Sequence, residues 1–276
     1  NAALESSNES AARLHYNSLL AAPNAATVLG TNAWREIGRN AVALALKTND
    51  VADAIGIAKP LASGPTGDSR LLVLLGQAYA QNNQFPQAVA TWKQALDAAP
   101  TADATDIRER LARASFGAGD FKGAREQFQV LAAAAGGENA LKRDLRELWA
   151  RASFNVNDYT NAAARYQSLS DSFSDSPAYA YEGAAALERA GQWADAARRY
   201  AVAAKAGDKL PPAYASAVEG NLARARMEAG IGDRGASIWI ARLAPTASNT
   251  VFEAAVAMMS RCIAAGKPDA IKPAAL

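Results

Sequence analysis

One histidine, His15, and one cysteine, Cys262, occur in 276 residues, and the two scarcities remove whole classes of chemistry. A Ser-His-Asp triad, an imidazole acid–base pair or a histidine-bearing zinc site each needs a histidine with partners. His15 has apolar or small neighbours at helical spacing, so a surface or packing role is expected. A lone cysteine forms no internal disulfide and no cysteine zinc centre. With no basic group identified beside it, Cys262 reads as a small hydrophobe rather than a nucleophile. It fits a reducing cytoplasm and a bacterial periplasm equally.

Aromatic residues are also few, 7% of a chain that is 50% hydrophobic. Alanine supplies much of the remainder, which favours closely packed helices over sheets. Neither sign of charge dominates: 29 Lys and Arg face 27 Asp and Glu, a formal net charge of +2. That balance builds no field for nucleic acid or an anionic membrane surface, and no nucleic-acid partner is expected. Unbroken apolar runs of the ~18 residues that span a bilayer are missing, as is a basic then apolar leader, so membrane insertion is not expected. "NAALESSNES" runs straight into a helical pattern and reads as the start of a mature or trimmed chain, with Asn1 and Ala2 a cloning remnant.

What is present is repetition. "RASFGAGDF", Arg113 to Phe121, returns 38 residues later as "RASFNVNDY", Arg151 to Tyr159. A reaction centre has no physical need to recur at an interval, whereas a unit that buries its apolar face against its own copies must. Three aligned columns extend the echo: Ala54, Ala88, Ala124, Ala162 and Ala196; then Ala58, Trp92, Phe128, Tyr166 and Tyr200; then Leu61, Ala95, Leu131, Leu169 and Ala203. Successive members are 34, 36, 38 and 34 residues apart. A turn precedes each alanine ("TNDV", "NNQF", "AGDF", "VNDY", "AGQW"), and a second helical pattern lies upstream, as in "RLLVLLGQAYAQNN". Each unit is therefore helix, short turn, helix. Ser176-Pro177 reads as a helix start, Pro86 falls in a first turn, and Pro100 ends a helix.

Leu75, Gly76, Tyr79, Ala88, Trp92, Ala95 and Pro100 resemble the tetratricopeptide-repeat signature, with Trp92 in the place of the usual Phe. The resemblance implies an all-α fold: an α-α superhelix, or solenoid, of about six to seven helix hairpins, degenerate at both ends. Residues 1–276 would form a single array. A partial unit spans 1–30, well-matched repeats 31–206, and degenerate repeats with a cap 207–276, including a pair around Trp239 and a last helix near Val251–Ala264. The family's packing residues carry no reactive group, which implies a non-enzyme without metal or cofactor.

Other features yield to plainer readings. "SGPTGDSR", Ser63 to Arg70, lacks the Gly-Lys-Ser/Thr ending of a phosphate loop and sits where a connector is required. Asp106 with Glu109 and Asp144 with Glu147 recur in step with the scaffold. Arg113 and Arg151 follow each glutamate at ion-pair spacing, so a solvated, self-neutralising face is expected. Trp34, Trp92, Trp149, Trp193 and Trp239 read as repeat cores.

In this family the first helices line a concave face that binds partners. Its columns here include Arg39, Leu46, Lys47, Val73, Gln77, Gln81, Glu109, Arg113, Phe116, Glu147, Arg151, Phe154, Asn155 and Tyr181. From these, Gln77, Gln81, Glu109, Arg113, Phe116, Glu147, Arg151, Phe154, Asn155 and Tyr181 form the expected partner site. Arg113 with Phe116 and Arg151 with Phe154 would make successive rungs for an extended segment; packing of both phenylalanines between helices is an equal alternative. The lysine and asparagine carboxylate clamp of some family members is missing, and Glu109 and Glu147 would repel an acidic tail. The resemblance thus implies a scaffold for a protein or peptide partner of unknown identity and oligomeric state. Its style is that of bacterial envelope or polysaccharide-secretion proteins, with periplasm or envelope favoured over cytoplasm. The alternative is a regulatory or substrate-presenting domain of a larger enzyme or export machine.

Overall fold

The tightest local constraint is the turn inside each hairpin. Asn49, Asn83, Gly119, Asn157 and Gly191 have φ of 58°, 56°, 77°, 63° and 74°. They recur at the spacings of the alanine columns. A left-handed residue reverses the chain directly after a helix, and only glycine, or asparagine through its short polar side chain, adopts it cheaply. The reversal uses carbonyls that the helix end leaves over. Asn157 N–H donates to Phe154 O at 3.0 Å and Asp158 N–H to Ser153 O at 2.9 Å, and the same pair of bonds recurs at Asn49-Asp50, Asn83-Gln84 and Gly191-Gln192. The next residue often starts the following helix: Asp50 and Asp120 accept the amides of Asp53 and Gly123 at 3.2 and 2.9 Å.

The computed structural model describes residues 2–62, 68–99 and 103–230, with side chains from Asn8 onward except Ser10. Residues 63–67 of "SGPTGDSR", together with Trp239, Val251–Ala264 and Cys262, lie outside the described residues. Two compact units divide the chain, Asn1–Ala140 and Leu141–Leu276. Helices and turns make up the described residues, with no strand among them.

In the first unit, α1 (Ala2–Ala21) and the short α2 (Ala25–Leu29) lead into three hairpins: α3 (Thr31–Lys47) with α4 (Val51–Ala62), α5 (Ser69–Gln81) with α6 (Phe85–Ala98), and α7 (Ala104–Gly117) with α8 (Phe121–Ala135). From α3 onward each helix packs on the next in chain order, while α3 also meets α5, and α1 lies on α3. The second unit repeats the scheme with α9 (Arg143–Asn155) and α10 (Tyr159–Ser172), α11 (Ala178–Arg189) and α12 (Trp193–Ala204), then α13 (Pro212–Glu228), which touches both α12 and α11. Pro86 opens α6, and Pro177 has helical angles just before α11.

Every member of the three columns is buried, the five alanines at 0% exposure. A further small column comes from the first helices, where Ala112, Ala150 and Ala184 are fully buried and Gly76 is buried in register with them. The reason for glycine at 76 is direct: a Cβ there would lie 2.5 Å from Trp92 Nε1. The indole of Trp92 lies on that bare backbone and donates to Val73 O at 3.1 Å. Larger second-column side chains thus fill space that smaller facing residues leave, at the close packing of a protein interior.

Two residues read as free groove columns belong to the interior. Leu46 is buried in the core shared by α3, α4 and α5, and Val73 packs against the core of Trp92 and Leu111. Arg146, buried on α9, reaches the end of α10, donating to Ser168 O at 3.0 Å and to the hydroxyls of Ser168 and Ser172. Cations are favoured at that negative helix terminus.

Trp92→Ala should lower unfolding free energy by roughly 3–5 kcal/mol, measured by denaturant titration. At the turn, Asn157→Gly should be near neutral, whereas Asn157→Val should cost about 1–3 kcal/mol because a β-branched residue resists the left-handed region. Equal melts for these two variants would contradict the turn assignment.

Candidate partner-binding recesses

First helices in each unit enclose a recess, and eight of the ten expected site residues divide between them. In the first unit α5 and α7 stand over Phe85 and Trp92 of α6, around about 470 Å³. Gln77, Gln81, Glu109 and Arg113 all line it, with Asp106 and Arg110. Its charges are paired along α7: Arg113 with Glu109 at 2.7 Å and Arg110 with Asp106 at 2.8 Å. Arg110 also reaches Gln77 across the recess at 3.4 Å. The spacing Glu109 to Arg113 therefore does what its helical register suggests, and self-neutralisation describes this face.

In the second unit α9, α11 and α13 enclose about 230 Å³ lined by Arg151, Phe154, Asn155, Tyr166, Tyr181, Glu182, Ala185 and Tyr214. Four of these, Arg151, Phe154, Asn155 and Tyr181, were expected from sequence. The hydroxyls are tied down. Tyr214 donates to Glu182 at 2.8 Å, Asn221 donates to Tyr181 at 2.8 Å, and Tyr200 donates to Glu188 at 3.0 Å. Arg224 holds the other oxygen of Glu188 at 2.5 Å.

Phe116 and Glu147 line neither recess. Phe116 meets Phe121 edge to face at 5.2 Å and 70°, and Phe154 meets Tyr159 with the same separation and angle. The recurring nonapeptide thus writes a ring pair that closes the turn between two helices. Phe154 does this and also lines its recess; Phe116 serves the turn, which is the packing alternative. Glu147 on α9 accepts from Arg143 at 3.2 Å and from the Tyr179 hydroxyl.

That last bond belongs to a second ladder. Tyr179 of α11 bonds Glu147 of α9, and Tyr214 of α13 bonds Glu182 of α11, each spanning 32 residues. Both tyrosines stand in "PAYA", residues 177–180 and 212–215. Tyr166 stands in the bulky packing column and also lines the recess, Glu182 lies outside the expected site residues, and Tyr214 lies past the well-matched repeats. Matching "PAYA" to itself would have found it.

Burial first, then the Glu147 contact, pushes the Tyr179 hydroxyl up to about 12; burial, then Glu182, does the same for Tyr214, up to about 12. Tyr166 and Tyr200 are raised further, chiefly by burial. The remaining notable side chains are structural: Trp149 is buried beneath the Arg165 guanidinium at 4.0 Å, and His15 is exposed on α1. Among the described residues no cluster of three or more His, Cys, Asp or Glu could hold a metal ion, and no helix is long and apolar enough to cross a membrane.

Hairpins stacked in chain order, with small residues at the crossings and recesses on the first helices, define a helical-repeat protein. The fold is that of tetratricopeptide repeats, as solved structures show. MamA of MSR-1 superposes over 64% of this chain and 96% of its own with a TM-score of 0.51 and 14% identity. A tetratricopeptide repeat protein from Parabacteroides merdae covers 93% of this chain and 94% of its own, with a TM-score of 0.51 and 10% identity. A chain of the Naa15/Naa10 complex bound to HypK-THB matches 86% of this chain at a TM-score of 0.61 and 14% identity, over 36% of its own length. No family model matches the chain, and no curated protein matches its sequence.

The raised tyrosines give alkaline stability a sign. Unfolded tyrosine loses its proton near pH 10, whereas Tyr179 and Tyr214 retain theirs to about 12 in the fold. The unfolded state binds fewer protons in that window, so stability is unaffected below pH 10 and falls progressively as pH rises through 12. Thermal melts from pH 8 to 12 should show this, with tyrosinate absorbance of the buried set appearing together with loss of helicity.

Proposed function

We propose that the chain is a non-catalytic scaffold that binds a protein or peptide partner along its first helices. The observation carrying this reading is that the repeat columns are spent on packing, while the residues left over on α5, α7, α9, α11 and α13 line open recesses of about 470 and 230 Å³. Gln77, Gln81, Glu109 and Arg113 serve in one unit, and Arg151, Phe154, Asn155 and Tyr181 in the other. Phe116 and Glu147 support these faces from the turn and from the tyrosine–glutamate ladder. The balanced charge of +2 favours a protein partner over nucleic acid. Attachment to bacterial envelope or polysaccharide-secretion assembly is the working context, in keeping with the alanine-rich, arginine-leaning helices.

Arg113→Glu together with Arg151→Glu should reduce partner capture from envelope or cytosolic fractions while leaving helicity unchanged and lowering stability by no more than about 1 kcal/mol, since the half-buried Arg113 gives up its pair with Glu109. Capture equal to that of the unaltered chain would remove these arginines from the binding face.

A further inference from the structure

The recess of the second unit is walled by rings that cannot turn inward to fill it. Tyr181 and Tyr214 are stacked at 4.3 Å with 11° between their planes, and Tyr200 meets Tyr181 edge on at 5.4 Å. Each of the three hydroxyls is bonded within the unit, to Asn221, Glu182 and Glu188. Phe154 is held by Tyr159, and Tyr166 is buried beneath. A wall locked in this way is pre-organised, so an occupant loses little free energy to reordering of side chains. The open volume, about 230 Å³, exceeds the roughly 150 Å³ of an apolar cavity that takes up benzene. Ring-on-ring contact adds stabilisation beyond the area buried, which an aliphatic chain of equal size would forgo.

Charge at the mouth narrows the occupant. Of the two charged residues that line the recess, Glu182 is half-buried and accepts from the Tyr214 hydroxyl. Arg151 is exposed on α9 beside Asn155. A guanidinium has five N–H donors, which leaves capacity for a carboxylate on another molecule alongside its contacts within the chain. A charged group at the rim meets the exposed Arg151 before the half-buried Glu182, which favours an acidic neighbour there over a basic one.

We propose that this recess takes an aromatic side chain from an extended segment of a partner protein, with an acidic residue next to it in that segment pairing with Arg151. The assignment rests on the partner-binding reading of the first helices and deepens it: the aromatic ring is the anchor, and the acidic neighbour sets direction and register.

A random peptide library displayed on phage and selected on the whole chain tests it. Recovered peptides should share an aromatic residue beside Asp or Glu. A synthetic peptide of that consensus should lose at least about tenfold in affinity to Ala185→Trp, whose indole occupies the recess, and to Tyr181→Leu, which removes the stacked wall. On Arg151→Glu, at an exposed position where folding is not at stake, the preferred neighbour should change from acidic to basic. A consensus without an aromatic residue, a consensus centred on Lys or Arg, or affinity unchanged in all three variants overturns the assignment. Peptides that bind but are lost to Arg113→Glu alone would overturn it while leaving the partner-binding reading intact. Recovery of no peptide overturns it as well, and partner capture by the double arginine variant then judges the broader reading separately.

Discussion

The structure of each unit depends on one steric condition: a residue with almost no side chain must stand where two helices cross, and a bulky residue must stand beside it. Trp92 against Gly76 shows how narrow the margin is, since a single added carbon would sit 2.5 Å from the indole nitrogen. At Ala124 and Phe128, or Ala196 and Tyr200, the same condition is met by an alanine and an aromatic ring, all within 1% of complete burial. Close approach brings rows of side chains into van der Waals contact, which is how a chain with few large apolar residues still builds the interior of each unit.

The turn is the complement of that crossing. For the second helix to fold back onto the first, the chain must reverse within a few residues, and the left-handed asparagine or glycine does so while recovering carbonyls at the helix end. Because crossing and turn share one register, a hairpin is specified twice by local chemistry. The "RASF" echo belongs to this economy. Its serine carbonyl caps the turn at Asp158, and its phenylalanine covers the next helix start.

With packing and turns satisfied by fixed columns, the first helices are free to vary, and the two recesses show how differently the same scaffold can be furnished. That between α5 and α7 carries arginine–carboxylate pairs along one helix over Phe85 and Trp92. That between α9, α11 and α13 is ringed by tyrosines, of which Tyr214 ties α13 to α11 through Glu182. Neither recess is lined by histidine or cysteine.

Much of this was legible in the residues because helix hairpins are governed by short-range rules. The alanine columns, the bulky column beside them and the turn tetrapeptides all lie within one hairpin, and so does the pairing of Arg113 with Glu109. What the order of residues could not decide was which side of a half-apolar residue faces a neighbouring hairpin. Leu46 and Val73 occupy first-helix columns that look free, and packing drew them inward. Phe116 and Phe154 share the tetrapeptide RASF, and both pair with the ring that opens the next helix, yet Phe154 lines a recess and Phe116 does not. The bonds from Tyr179 to Glu147 and from Tyr214 to Glu182 reach 32 residues back along the chain. Local propensity determined the hairpins and their register; the stacking of one hairpin on the next decided the recesses, since only there do side chains distant in sequence compete for the same space.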